Sequence, residues 1–358
     1  MRHIRRILTV TGKPPDFLPA PASVEELEEL LSRPPDSVVT AMAALDGDLA
    51  FLGVAGKMGP TMARMARRAI ELAGVNKQVF GVSRFRDPAV RERLESWGIR
   101  TIACDLLDEE AVARLPDAAQ VVSMSGFKFG ASDHPDLAWA GNCHVPALVC
   151  RRYRDSRIIT FSTGNVYGMV PASSPGSVET DAPRPDGEYA MTALGRERMC
   201  EYFSRRNNTP VLLLRLNYAT ELRYGVLVDL AQQIHAGRPV DVTMGHVNVI
   251  WLADANAMTL RAFPQASSPA RILNLAGPEI VSVREVCRQL GEWLDRPVTL
   301  TGAESGDALL NCGRLGHQLL GPPQVSTRQM LRWTADWVAR GGPTLGKPTH
   351  FQTRTGVF

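Results

Sequence analysis

Short apolar runs alternate with segments of helical periodicity along most of this chain. The runs fit buried strands, and they cover residues 49–52, 78–82, 100–104, 120–124, 157–161, 210–216 and 271–275. The segments between them place apolar residues three and four positions apart, and they cover residues 61–73, 89–97, 109–115, 137–153, 190–206, 226–236 and 283–294. Strands that alternate with helices predict a parallel sheet covered on both faces, an α/β fold of the doubly wound (Rossmann) type.

The two ends of the chain depart from this alternation. Ser23 and Glu26 form a capping box in front of a leucine stripe, and a second short helix is expected over residues 36–45. We interpret residues 1–47 as an N-terminal helical extension, packed outside the larger domain as a packing or oligomer element. Residues 341–358 are rich in Gly, Pro and Thr, which predicts an irregular tail.

Composition and charge exclude several classes of function. The 358 residues carry 40 Lys and Arg against 37 Asp and Glu, so a net charge of +3 gives no electrostatic case for nucleic acid or an anionic membrane. No apolar stretch approaches the roughly 18 residues of a membrane span, and the run at residues 7–10 is too short for a secretory signal. We therefore expect a cytoplasmic protein. The six cysteines and seven histidines show no metal-ligand or disulfide spacing, so no metal site is expected.

A glycine loop follows the first strand directly. Gly53, Gly56 and Gly59 stand where a tight turn, a close approach of backbone to a pyrophosphate and close helix packing each require glycine. The strand before the loop and the helix after it supply the context that a dinucleotide site needs. The loop residues Lys57 and Met58 belong to the same expected cofactor site. The alternative is a tight strand-to-helix turn without a ligand.

The end of the second strand bears on the choice of cofactor. Ser83 and Arg84 stand where an NAD-binding protein usually carries an acidic residue for the ribose 2′-hydroxyl. A guanidinium suits a 2′-phosphate, with Lys57 as a further cation nearby, and this favours NADP over NAD. Arg84 could equally be a solvated surface residue. Asp105 and Leu106, after the third strand, lie where a carboxylate could meet the adenine amino group.

Taken in order and spacing, the motifs resemble one known family. They are the glycine loop, Asp105-Leu106, residues 136–142, the stretch from Ser162 to Gly168, Tyr189, Arg215-Leu216-Asn217, residues 249–254 and residues 274–277. With these marks the chain is identified as a member of the extended short-chain dehydrogenase/reductases, the NAD-dependent epimerase/dehydratase family. The resemblance covers roughly residues 48–300.

The resemblance implies roles for particular residues. A Ser or Thr at the position of Thr163 binds the substrate oxygen, and a Tyr at the position of Tyr189 is the general acid/base. The family's lysine four residues after this tyrosine orients the ribose and lowers the tyrosine pKa, but this chain has Ala193 there. The resemblance also implies cofactor contacts, besides Tyr189, from Met124, Ser125, Gly126, Asn142 and Leu216.

The missing lysine leaves Tyr189 without its usual cation. A free tyrosine has a pKa of about 10, and a cation within about 4–6 Å lowers such a value by roughly 1–3 units. Lys128 follows the fourth strand, in a loop expected beside the nicotinamide at the carboxyl end of the sheet. We therefore hypothesise that Lys128 supplies the cation or acts as the base. The alternative is a lysine that faces solvent.

Other departures from the family narrow the substrate. Gly164-Asn165 replaces the Asp-Glu pair of the sugar 4,6-dehydratases, which argues against dehydration by that route. His246 stands in a stretch without the arginine that grips a nucleotide diphosphate, and a lone imidazole does not replace a bidentate guanidinium. A free sugar, a glycoside or a sugar acid fits better. The candidate substrate residues are Phe127, Lys128, Asn165, Tyr167, Asn217 and His246, although His246 could be ordinary loop polarity.

These observations favour an NAD(P)-dependent enzyme that acts on a secondary alcohol or ketone of a carbohydrate-like molecule. Epimerisation through a transient keto intermediate is the leading interpretation, followed by an NADP-dependent dehydrogenase/reductase. A third is a dinucleotide-binding protein with lost or non-redox (isomerase or lyase) activity. We expect a Rossmann domain over residues 48–217, a smaller substrate-binding lobe over residues 218–340 interleaved with it, and the tail from residue 341. By the resemblance, a homodimer would form through the helices at residues 137–153 and 190–206.

Overall fold

The computed structural model describes residues 17–357, and a seven-stranded parallel sheet lies at its centre. Its strands are β1 (Leu49–Leu52), β2 (Val79–Ser83), β3 (Arg100–Ala103), β4 (Gln120–Ser123), β5 (Arg157–Thr163), β6 (Val211–Leu216) and β7 (Arg271–Leu275). The spatial order is β3-β2-β1-β4-β5-β6-β7, with every neighbouring pair parallel. The order reverses between β1 and β4, which opens a crevice at the carboxyl ends of the strands. The predicted doubly wound fold is confirmed.

Helices cover both faces of this sheet and build the second lobe. They are α1 (Val24–Ser32), α2 (Asp36–Ala44), α3 (Gly59–Leu72), α4 (Pro88–Ser96), α5 (Glu109–Ala113), α6 (Pro135–Trp139), α7 (Val145–Arg152), α8 (Gly187–Asn207), α9 (Val226–His235), α10 (Leu252–Arg261), α11 (Val283–Leu294), α12 (Arg314–Leu320) and α13 (Thr327–Ala339). A π-helical turn, Ala140–His144, joins α6 to α7. The single helix predicted over residues 137–153 is therefore one helical segment with a wider turn inside it.

The second lobe is formed mainly after β6. Helices α9, α11 and α13 pack against one another, and the two-residue strands of this region pair in small sheets separate from the large one. Strand β7 returns to the large sheet from within this region, as the interleaved arrangement requires. Trp333 and Trp337 are each 2% exposed and belong to the core of the lobe. No helix among residues 17–357 combines the length and the apolar character that a bilayer span needs.

The N-terminal extension is more than an outer addition. Helices α1 and α2 pack on α3 and α10, and Leu27, Leu31, Val38 and Met42 are completely buried. The first two leucines join the core of the second lobe, and the other two residues join the core beneath the sheet. The extension therefore contributes buried side chains to both cores, as a packing element would. In the tail after α13, residues 340–357 form no helix or strand, and Phe351 among them is buried.

Candidate active site

The glycine loop has the shape that a dinucleotide requires. Gly53 has φ +84°, and a Cβ there would lie 2.9 Å from the backbone nitrogen of Ser125, so only glycine lets β1 approach the loop after β4. A Cβ on Gly59 would lie 2.1 Å from the carbonyl oxygen of Val54, which packs the first turn of α3 against the loop. The Ser125 hydroxyl is buried without a hydrogen-bond partner among residues 17–357. A backbone cradle beside an unsatisfied hydroxyl fits a bound dinucleotide.

A cavity of about 190 Å³ lies where β5 and β6 end. Thr163, the last residue of β5, contributes to its wall and is almost completely buried. The Thr163 hydroxyl oxygen accepts a hydrogen bond from the backbone N–H of Asn165, at 3.2 Å. Tyr189, in the first turn of α8, and Lys128 line the same cavity. The fold therefore brings together the three residues predicted to be catalytic.

Lys128 is held close to Tyr189. Its ammonium nitrogen lies 5.5 Å from the centroid of the Tyr189 ring, and burial lowers the pKa of Lys128 to about 8. The loop that carries it is fixed by Asn142, whose side chain accepts from the N–H of Phe127 at 2.9 Å and donates to its carbonyl oxygen at 2.8 Å. Asn142 lies in the π-helical turn between α6 and α7. Its amide thus holds the loop that carries the lysine.

A second cation lies close to Ala193 on α8. Ala193 is completely buried, and Arg196 follows one turn later on the same face of α8 as Tyr189. The Arg196 guanidinium donates to the carbonyl oxygen of Phe161, at 2.7 Å, and to the side-chain oxygen of Asn142. It therefore lies beneath the loop after β4, and only the absence of a side chain at Gly126 permits this approach.

Comparison with known proteins identifies the family. The model of the NAD dependent epimerase/dehydratase family matches residues 50–276. The chain belongs to this family. Membership confirms the prediction of a short-chain dehydrogenase-type enzyme and supports a nicotinamide dinucleotide as cofactor. No protein of curated function is detectably similar in sequence.

Solved structures share the epimerase fold at low sequence identity. UDP-glucuronic acid 4-epimerase from Bacillus cereus, in complex with UDP-glucuronic acid and NAD, has a TM-score of 0.68 at 18% identity. UDP-glucose 4-epimerase from Thermus thermophilus, in complex with NAD, has a TM-score of 0.67 at 20% identity. Each comparison covers 82% of this chain and 99% of the other. dTDP-glucose 4,6-dehydratase from Bacillus anthracis, in complex with NAD, has a TM-score of 0.69 at 11% identity, covering 82% of this chain and 97% of the other.

The side chain of Lys57, in the glycine loop of this epimerase-family chain, points in a different direction from the one predicted. The sequence analysis expected Lys57 to be a further cation beside Arg84. In the structure its ammonium nitrogen lies 3.1 Å from the centroid of the Tyr224 ring, and the residue lines the cavity. Burial, and then the charge of Lys128, lowers the pKa of Lys57 to about 7. Arg84 instead faces Asp105, with 3.8 Å between Nη1 and Oδ2 and both side chains about half exposed.

Several predicted substrate residues reach the cavity and others do not. Asn165 and Asn217 line it, as do the predicted cofactor residues Met58 and Leu216. Among the described residues, those lining the cavity do not include Phe127, Tyr167 or His246. The Tyr167 hydroxyl donates to the side-chain oxygen of Asn274 at 2.8 Å, within the core. His246 pairs with Ser282 in a short antiparallel ladder. Contact of these three with substrate stays a prediction.

The sequence analysis missed much of the opposite wall. Tyr218, Glu221 and Tyr224 line the cavity from the segment directly after β6, and burial raises the pKa of each. Their closeness to Arg215-Leu216-Asn217 was a usable signal, since that motif ends at the site. Thr349 also lines the cavity, and its N–H and hydroxyl both donate to Oδ2 of Asp229, at 2.7 and 2.6 Å. Nothing in the composition of the tail indicates this.

The N-terminal extension and the C-terminal tail both contact the opposite wall of the cavity at Arg223. Nη1 of Arg223 donates to Oε1 of Glu28 in helix α1, at 3.0 Å, and its Nε donates to Oε1 of Glu221, at 3.1 Å. The carbonyl oxygen of Arg223 accepts from the N–H of Leu345 in the tail, at 2.9 Å. Glu28 and Leu345 both lie outside the residues that the epimerase family model matches. The extension and the tail therefore fix the segment that carries Glu221 and Tyr224.

Proposed function

We propose that this protein is an NAD(P)-dependent epimerase or oxidoreductase that acts on a secondary alcohol or ketone of a small carbohydrate. The observation that carries the proposal is the meeting of Thr163, Tyr189 and Lys128 in one cavity at the carboxyl ends of β5 and β6. Epimerisation through a transient ketone of the substrate is the leading reaction. Simple reduction or oxidation of the same carbon is the alternative that the same residues allow.

Each of the three residues has a role that its surroundings support. Thr163 donates a hydrogen bond to the reacting oxygen, and Tyr189 takes up or returns the proton of that oxygen. Lys128, with a pKa of about 8, supplies beside Tyr189 the positive charge that Ala193 cannot. Arg196 acts through Asn142 as a positioning residue for the loop of Lys128. A bound nicotinamide would supply a reversible hydride acceptor.

The dinucleotide would be held by the glycine loop and by the Ser125 hydroxyl. Among the dinucleotides, NADP is favoured because Arg84 stands at the end of β2, half exposed, with a guanidinium that can bind a 2′-phosphate. Titration of NAD and NADP into the Arg84→Ala protein tests this choice. We expect NADP to bind at least about tenfold more weakly and NAD to bind as before. Equal affinity for NADP in both proteins contradicts the preference.

A homodimer formed through the α6–α7 segment and α8 is also proposed. Four large apolar side chains on these helices are between 40% and 51% exposed, namely Leu137, Trp139, Met191 and Tyr202. Such a patch favours burial against a second copy. Light scattering on the wild type and on Trp139→Asp tests this, since the variant should be a monomer. A monomeric wild type contradicts the proposal.

One measurement tests the redox function first. The protein is purified without added cofactor and denatured, and the released dinucleotide is identified by mass spectrometry. NAD(H) or NADP(H) near one per chain supports a cofactor that is recycled in place, as in an epimerase. An empty protein that binds NADP on titration favours the dehydrogenase, and one that binds neither dinucleotide overturns the proposal.

A variant then tests the role of Lys128. Lys128→Met should abolish turnover while it leaves dinucleotide affinity nearly unchanged, because the lysine faces the substrate cavity. Arg238→Met is the control, since Arg238 is an exposed cation that does not line the cavity. Full activity of the Lys128→Met protein would remove Lys128 from the mechanism.

A further inference from the structure

Two lysines from different loops converge on the cavity. The ammonium nitrogen of Lys57 lies 4.8 Å from the centroid of the Phe129 ring, and that of Lys128 lies 5.5 Å from the same centroid. The two charges are therefore separated by no more than the sum of these distances. Lys57 also lies on the face of Tyr224, a residue of the opposite wall. The aromatic rings hold both ammonium groups toward the space that Thr163 and Tyr189 border.

The carboxylates near Lys57 are engaged elsewhere. Glu221 accepts from the side chain and the backbone N–H of Arg223, and Asp229 accepts twice from Thr349. Among residues 17–357, the ion pairs include none between Lys57 and a carboxylate, although Asp229 and Glu221 are close enough to raise its pKa. Two desolvated ammonium groups that repel each other are stabilised by an anion placed between them.

We propose that Lys57 and Lys128 together bind an anionic group of the substrate, so that the cavity takes a small sugar carrying a carboxylate or a phosphate. This inference rests on the proposed function and names the substrate class of the same site. The remainder of the wall suits a sugar ring, because Asn165, Asn217 and Thr349 can bond hydroxyl groups beside the Tyr218 and Tyr224 rings. The stretch around His246 carries no arginine for a nucleotide diphosphate, which favours a monosaccharide over a nucleotide sugar.

The phosphates of the dinucleotide are the competing anion for Lys57, since this residue belongs to the glycine loop. The direction of the side chain argues against them. Its ammonium lies on Tyr224, which belongs to the segment after β6, whereas the cradle for a pyrophosphate is formed by the backbone between Gly53 and Gly59. The distinction is measurable, because a phosphate ligand of the cofactor and a ligand of the substrate affect different affinities.

The test is calorimetric titration of the full chain, loaded with its dinucleotide, with matched sugars. Glucuronate and galacturonate are compared with glucose and galactose, and the corresponding hexose phosphates and UDP-glucose form two further arms. We expect at least one anionic monosaccharide to bind about tenfold or more tightly than its neutral counterpart, as for a hydrogen bond to a charged group. Whether the carboxylates or the phosphates show this preference identifies the source of the charge.

Variants assign the preference to the two lysines. Lys57→Met and Lys128→Met should each remove it, and Arg238→Met, which removes an exposed cation that does not line the cavity, should retain it. The proposal is overturned if no anionic monosaccharide is preferred, if UDP-glucose alone binds, or if Lys57→Met weakens dinucleotide binding and leaves the sugar preference intact. Failure of the proposed function is separate, since a chain that binds no dinucleotide fails before any sugar is added.

Discussion

Glu28 should control the cavity from outside the residues that the family model matches. Its side chain is 7% exposed, and one carboxylate oxygen accepts a hydrogen bond from Arg223 and forms an ion pair with Arg93, each at 3.0 Å. Glu28→Gln keeps the shape and removes the charge opposite both guanidinium groups. Water can compensate Arg93, which is 36% exposed, but much less so Arg223, which is 11% exposed.

The magnitude follows from the burial of this contact. A hydrogen bond to a charged group contributes about 1.5–3 kcal/mol, and Arg223 retains Glu221 as a partner, so we expect a loss of about 2 kcal/mol in the free energy of unfolding. In a chain of 358 residues that lowers the thermal midpoint by roughly 3 °C. Hydrogen exchange should also accelerate at the Leu345 amide, which donates to the carbonyl of Arg223.

Differential scanning calorimetry and native-state hydrogen exchange measure these two effects. Glu25→Gln is the matched control, because Glu25 is an exposed carboxylate on the same helix, and its removal should change stability by less than about 0.5 kcal/mol. If Glu28→Gln melts together with the control and protects the Leu345 amide as the wild type does, the extension does not hold the cavity wall.

Three further outcomes follow from the same geometry. Gly59→Ala should lose dinucleotide binding, because its Cβ would lie 2.1 Å from the Val54 carbonyl oxygen. Gly306→Ala, which has open space at the Cβ, should bind the dinucleotide normally. Calorimetric titration of both variants checks this. Affinity for an anionic sugar should be highest below about pH 7 and fall as pH rises through 7 to 8, because Lys57 and Lys128 lose their protons there; a flat profile over that range contradicts the assignment. Glu197→Gln should lower the free energy of unfolding by about 3–5 kcal/mol, because it leaves the buried Arg215 guanidinium without its charge partner. Urea unfolding measures this. A change below about 1 kcal/mol, the net value of an ordinary hydrogen bond, contradicts it.

The sheet and its cofactor loop were accessible from the sequence because their signals are local. Each strand is a short apolar run, and the glycine spacing has one backbone meaning between a strand and a helix. Thr163 and Lys128 follow strands whose carboxyl ends face one crevice, so the topology alone brings them together. The π-helical turn at Ala140–His144 could not be predicted, since the spacing of its apolar residues is that of an ordinary helix.

The opposite wall of the cavity could not be predicted from local patterns, because it depends on contacts between residues far apart in the sequence. Lys57 has a side chain long enough to reach either the adenine end or the cavity, and only the Tyr224 ring, brought over by the second lobe, decides between them. Thr349 enters through a tail without secondary structure, where no periodicity marks an inward face. The contact of Glu28 with Arg223 joins segments that no local pattern relates.

The contacts of α1 and of the tail with Arg223 have a consequence for biosynthesis. Glu28 leaves the ribosome early, whereas Leu345 follows after every strand of the sheet and the last helix, α13, have been made. A product that terminates just beyond α13 contains the complete Rossmann sheet and α1 to α13, but it lacks the segment that closes the wall and Phe351, which belongs to the core of the second lobe. Such a product would expose the apolar surface that Phe351 covers. Cellular surveillance that recognises exposed hydrophobic surface would therefore act on it before protein with an unfinished site accumulates.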